Sequence, residues 1–176
     1  MNSTKIILIG YMGSGKSVIG SKLSEALGIQ FIDLDDAIES AEGTVISKIF
    51  ESKGELYFRQ LERKCLEQLL ELPEPMVLSL GGGTPCYYDN IEFILQQKSA
   101  KSFYLNANIN TLSQRLFEEK AARPMIAHLT HLEETKEFIG KHLFERNPFY
   151  QKATHQISTD HKTVAELVTE IKSILS

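Results

Sequence analysis

Between Gly10 and Ser17 the chain reads GYMGSGKS, an instance of G-x-x-x-x-G-K-[ST] placed directly after the apolar run Lys5-Ile-Ile-Leu-Ile9. A turn of this kind must aim several backbone N–H groups at one anion. Gly10, Gly13 and Gly15 permit the conformations and the close approach that side chains would block. After Lys16, the residues Val18, Ile19, Leu23, Ala26 and Leu27 recur at helical spacing, and Gly28 stands as a C-terminal stop. Strand, glycine turn and helix are therefore expected in that order, with the partial positive charge of the helix N-terminus adding to the attraction for phosphate. Lys16 is expected to reach the β- and γ-phosphates of a nucleotide, and the Ser17 hydroxyl to coordinate Mg²⁺.

At 176 residues the chain is most economically one domain over 1–176, large enough to bury a core without staples. Its net charge of −4, with both signs interspersed, offers no electrostatic footprint for nucleic acid or an anionic membrane. Cys65 falls on an apolar helical stripe with Phe58, Leu61 and Leu69, whereas Cys86 sits in a loop after a glycine run. One buried thiol and one incidental thiol are expected. Without a signal peptide, a spanning apolar stretch or a cysteine framework, the expected location is cytoplasmic, and the expected state is a monomer.

Five short apolar segments read as strands, at about 5–9, 30–34, 76–80, 102–106 and 155–158, with helical patterns between them. That alternation argues for a parallel sheet covered on both faces. The gap between the second and third strands holds two helical patterns, one around Ile46, Ile49 and Phe50 and one from about Leu56 to Leu72. This excursion, about 35–72, is long enough to form a substrate-binding flap. Lys98 to Lys101 reads as a solvated turn. Thr163 and Glu166 form a capping box for the last helix, whose apolar face is Val164, Leu167, Val168, Ile171, Ile174 and Leu175. The stretch Glu118 to Thr130 has neither clean period nor strand character, which marks a mobile lid at about 118–131 with few core contacts.

The second strand ends in FIDLDD, and period-2 alternation points Asp33 and Asp35 to one side, at the edge where open α/β sheets place ligands. One carboxylate can organise Mg²⁺ through its water shell, and the other can accept a proton from an attacking hydroxyl. The alternative is that these aspartates only cap a helix beginning near Ala37, a role Asp36 fits best. Arg59 and Glu62, three apart, share a helix face, either as an ordinary surface pair or with Glu62 aiming the guanidinium into a cleft to grip a carboxylate. Ser79-Leu80-Gly81-Gly82-Gly83 is either a flexible turn or a run of bare backbone beside the ligand, with Ser79 near the metal's water shell. Arg115, Arg123 and Arg146 follow, and Arg123, before Pro124 in the lid, suits delivery of positive charge to a phosphoryl transition state. His128 and His131 lack a convincing metal partner and read as solvated.

Assembled in order, GYMGSGKS, FIDLDDAIE, GELYFRQLE, LSLGGGTP, ARPMI and ERNPFY resemble the shikimate kinase family of small P-loop kinases over nearly the whole chain. The resemblance implies an α/β three-layer P-loop kinase fold, a five-stranded parallel sheet in the order 2-3-1-4-5 flanked by helices, and a lid. It implies ATP-dependent phosphorylation of the 3-hydroxyl of shikimate in aromatic amino acid biosynthesis, with Mg²⁺. Nucleotide would lie on Gly13, Ser14, Gly15, Lys16, Ser17 and Val18, with Arg115 against the adenine and Arg123 as lid arginine. Asp35 would bind the substrate hydroxyls and act as base, Arg59 and Arg146 would clamp the carboxylate, Gly81, Gly82 and Gly83 would form the substrate floor, and Ser17 and Asp33 would serve the metal. Val18 and Met125-Ile126 depart from the residues usual in the family. Gluconate kinase is the alternative, followed by a nucleoside monophosphate kinase. A GTP-dependent switch is disfavoured because neither Asp-x-x-Gly nor Asn-Lys-x-Asp follows the loop.

Overall fold

The computed structural model describes residues 4–122 and 125–176. Strands β1 (Lys5–Ile9), β2 (Gln30–Asp33), β3 (Met76–Ser79), β4 (Ala100–Asn106) and β5 (His155–Ser158) form one sheet in the order β2-β3-β1-β4-β5. All four pairings are parallel. The connections carry helices α1 (Lys16–Leu27), α2 (Leu34–Glu42), α3 (Ile46–Glu71), α4 (Asn90–Gln96), α5 (Ile109–Glu118) and α6 (Leu132–Tyr150), and α7 (Val164–Leu175) follows β5.

The central strand shows why its sequence is apolar without alternation. Ile7 and Ile9 belong to a cluster on one face of the sheet, with residues of α2, α3, α4 and α6. Ile6 and Leu8 point the other way, to Ile19 and Leu23 of α1 and Leu167, Val168 and Ile171 of α7. A strand covered on both sides carries apolar side chains in succession, as Ile6 to Ile9 do here. Helix α1 ends on Gly28 at φ 65°, and α7 starts on the reciprocal Thr163–Glu166 capping box.

The two helical patterns expected between β2 and β3 meet at Gly54, whose φ of 81° and ψ of 170° break α3 into two arms. Strand β4 begins at Ala100 and takes in Lys101, so the turn expected over Lys98–Lys101 is shorter than its polarity suggests. The presumptive lid is also better anchored than its sequence implies. Ile126 is fully buried in the larger cluster, Leu129 packs against it, and Lys120 Nζ donates to Leu129 O at 3.1 Å. A single apolar side chain has no period to detect, which is why this anchor is missed by pattern reading.

Candidate active site

The phosphate loop runs from β1 into α1 with Gly13 at φ 78° and Gly15 at φ 96°, values an L side chain would strain. Gly10 answers a different need, since a Cβ there would lie 2.6 Å from Ser14 Oγ and 2.9 Å from Leu105 O. Lys16 Nζ folds back over its own loop and donates to the carbonyls of Gly10 at 2.8 Å and Tyr11 at 3.1 Å. Arg115, on α5, donates to Gly13 O at 3.1 Å and thus stands beside the loop. These groups, with Ser17 and the exposed Val18, border a cleft of about 380 Å³ that also reaches Asp33, Asp35, Ser79, Gly81 and Gly82.

The two aspartates enter that cleft by a route the sequence reading does not anticipate. Strand β2 stops at Asp33 and α2 starts at Leu34, so Asp35 lies in a helical first turn and not on the strand. The cap is Asp33, which accepts from the Asp35 N–H at 3.0 Å; it is neither Asp36 nor a helix starting near Ala37. The second Asp33 oxygen accepts from Ser17 Oγ at 3.3 Å, joining β2 to the phosphate loop. Burial, then the neighbouring charges of Asp33 and Glu62, push the Asp35 carboxyl up to about 6, against the opposing pull of Lys16.

Behind Asp35 the glycine run closes the cleft, and close approach accounts for Gly81 and Gly83, while at Gly82 a Cβ would meet only ordinary contact. A Cβ on Gly81 would lie 3.0 Å from Asp35 Oδ1, on Gly82 3.4 Å from Arg146 Nη1, and on Gly83 3.1 Å from Arg59 Nη2. Arg59 comes from the second arm of α3, with Nη1 bonded to Glu62 Oε2 at 3.0 Å and Nε to Glu55 Oε1 at 3.4 Å. Its guanidinium stacks 3.7 Å from the Tyr87 ring centroid. Arg146 comes from α6 and stands next to Gly82. Both arginines line a cavity of about 460 Å³ with Phe50, Cys86, Tyr87, Met125 and His142. Two arginines from separate helices bordering one cavity are suited to an acid.

The structure brings Lys16, Ser17, Asp33, Asp35, Arg59, Arg115, Arg146 and Gly81–Gly83 to one edge of the sheet. Arg123 lies outside the described residues. Cys65 is buried as expected, while Cys86 closes a 3₁₀ turn, Thr84–Cys86, and faces the cavity of the arginines. Several supporting residues carry no signal of their own in the sequence. Tyr87 and Glu55 hold Arg59, with Tyr87 donating to Glu55 at 2.9 Å. The buried Tyr150 donates to Gly82 O at 2.6 Å, and Tyr11 bonds His142 Nδ1 at 3.1 Å, so α6 touches both the glycine run and the phosphate loop.

The donor set also fits a hard divalent cation. No group of three or more His, Cys, Asp and Glu among the described residues is placed to enclose a metal. Mg²⁺ bound with phosphates needs fewer protein ligands, and it favours hydroxyl and carboxylate oxygens of the kind Ser17 and Asp33 present. Ser79 Oγ, buried at the end of β3 on the same cleft, makes no hydrogen bond among the described residues and can serve a water of the metal's shell.

A phosphate loop at the centre of a 2-3-1-4-5 sheet, with an acid and an arginine-lined cavity at the same edge, defines a P-loop kinase of the small-molecule type. The shikimate kinase family model matches residues 12–176, and the chain belongs to the shikimate kinase family. It is 46% identical over 172 residues to shikimate kinase of Flavobacterium johnsoniae, covering 98% of this chain and 99% of that one. The solved shikimate kinase from Bacteroides thetaiotaomicron matches with a TM-score of 0.88 at 35% identity over 98% of both chains. Shikimate kinase from Acinetobacter baumannii, solved in complex with shikimate, matches at 0.83 and 32% identity over 98% of this chain and 92% of that one.

Proposed function

We propose that this protein transfers the γ-phosphoryl group of ATP to the 3-hydroxyl of shikimate, giving shikimate 3-phosphate and ADP. The observation that carries the reading is the position of Asp35, on the phosphate cleft and against Gly81, the first of the glycine run that Arg146 and Arg59 approach at Gly82 and Gly83. A substrate whose carboxylate lies on the two arginines presents a ring hydroxyl to Asp35 across the glycine floor. Asp35 takes the hydroxyl proton as the oxygen bonds to phosphorus and the bond to the ADP oxygen breaks. Its raised pKa makes it a better proton acceptor than an ordinary aspartate while it remains ionised at neutral pH.

Lys16 and the backbone N–H groups of the loop hold the phosphates, exchanging the Lys16 contacts to Gly10 and Tyr11 for phosphate oxygens. Ser17 would hold Mg²⁺, with Asp33 and Ser79 toward its water shell, and the ion would supply charge neutralisation on the phosphates. Arg115 lies beside the nucleotide base, and Arg123 supplies charge from the lid. The test is direct. Purified protein with Mg-ATP is offered shikimate, gluconate and a panel of nucleoside monophosphates while ADP release is followed. Turnover of shikimate well above the others is expected; turnover of gluconate or a nucleotide with none of shikimate overturns the assignment.

A further inference from the structure

Glu62 is the least expected residue of the site energetically, because a carboxylate 1% exposed must have both oxygens satisfied. One oxygen meets Arg59. The other, Oε1, accepts from the Thr84 hydroxyl at 2.7 Å, from a residue that is itself 0% exposed. Thr84 is in turn fixed by its main chain. Its N–H donates to Gly81 O at 3.1 Å, and its carbonyl accepts from Asn90 Nδ2 at 2.8 Å. Asn90 Oδ1 accepts from Arg63 at 3.0 Å, one residue beyond Glu62 on α3. The Thr84 hydroxyl is therefore held from two sides and pinned to the helix that carries Arg59.

We propose that Thr84 is a positioning residue for substrate binding, acting through Glu62 to hold the Arg59 guanidinium on the acid group of the substrate. The proposal rests on the reading that Arg59 binds that acid. Without the hydroxyl, Glu62 Oε1 is a buried acceptor with no donor, and the carboxylate turns to find one. That turn loosens Nη1 of Arg59. The ring of Tyr87 and the Glu55 contact still hold the guanidinium, so the arginine loses its aim and not its place.

Steady-state kinetics of Thr84→Val and Thr84→Ala, which lack the hydroxyl, are compared with Thr84→Ser, which keeps it, and with Arg59→Ala. The KM for shikimate is expected to rise roughly three- to tenfold in the Val and Ala variants, with the KM for ATP unchanged and Thr84→Ser close to the parent. In an Arg59→Ala background the same Thr84 substitutions are expected to have no further effect on that KM, because the group they act through is gone. A general loss of packing would persist in that background and would show in thermal unfolding. Unchanged shikimate KM in both Val and Ala variants, or an undiminished effect in the Arg59→Ala background, overturns the proposal. If Arg59→Ala also leaves the shikimate KM unchanged, the reading of Arg59 itself falls, an outcome distinct from failure of Thr84 alone.

Discussion

Asp35 sits where burial and three neighbouring carboxylates, Asp33, Glu62 and Asp36, work against its charge, and both its reactivity and its effect on stability follow from that. In its proposed role as base Asp35 must be ionised, so kcat/KM for shikimate should be present above the raised pKa and fall as pH drops through about 6. Asp35→Asn keeps the shape and removes the proton acceptor. Turnover is expected to collapse, with shikimate binding much less affected; an unchanged kcat moves the base elsewhere. The same shift has an opposite sign for folding. Because the native carboxyl holds its proton to higher pH than the unfolded one, stability falls as pH rises through the window between the ordinary value of 3.8 and about 6. Asp35→Asn should therefore have a higher Tm than the parent at pH 8, with the difference shrinking on acidification. A lower Tm at pH 8 would show that the carboxylate contributes more than its burial costs. On the proposal that Arg59 and Arg146 hold the substrate acid, each alanine variant should weaken shikimate by roughly ten- to a hundredfold, the worth of a charge-assisted hydrogen bond in a cleft. ATP titrations should change far less. Collapse of ATP binding with shikimate binding intact would assign the arginines to the nucleotide.

Between β2 and α2 the difference between reading a pattern and seeing a structure is clearest. Alternation placed Asp33 and Asp35 together on a strand, and both do reach the cleft, but through a helix cap that period-2 reasoning does not contain. Strand positions, the loop–helix switch at Lys16 and the end of α1 were legible because burial on both faces and positive-φ glycines leave direct marks in composition. The sheet order came only with the family resemblance, since local periodicity says nothing of which strands pair. The supports of Arg59 were not legible either: Glu55, Tyr87 and Thr84 come from two elements, brought together by a turn in which a Cβ on Gly83 would crowd the Arg59 guanidinium. That closeness can be tested at the level of the turn. Gly83 has a φ of −85°, which alanine adopts freely, so Gly83→Ala probes space and not backbone freedom. Its Cβ would stand 3.1 Å from Arg59 Nη2, and the guanidinium must give way. A higher KM for shikimate with little change in Tm is expected. Parent-like KM would mean that Arg59 can shift without losing its ligand.

Over the whole molecule, two apolar clusters clamp the sheet and leave its C-terminal edge open, so a phosphoryl group transferred there has water as a competing acceptor unless something covers it. The stretch 118–131 is the segment that can do so, running from the end of α5, which carries Arg115, to the start of α6, which leads to Arg146. Its buried Ile126 ties the middle of the stretch to the core in the structure described. On the proposal that this stretch closes over the site, closure is expected to be a movement about an anchored point, with the flanks reorganising while Ile126 stays in place. Amide exchange should slow across the flanks when nucleotide and shikimate are added together, and change least beside Ile126. Arg123, the residue in this stretch best suited to meet the transferring phosphoryl, gives the kinetic half of the test. Arg123→Ala is expected to lose turnover with a smaller loss of shikimate binding, and to release more ADP per shikimate phosphorylated as water competes for the phosphoryl group. Full activity in that variant, or flanks already protected in the free protein, would show a static cover and leave the transition-state charge to Lys16 and the metal.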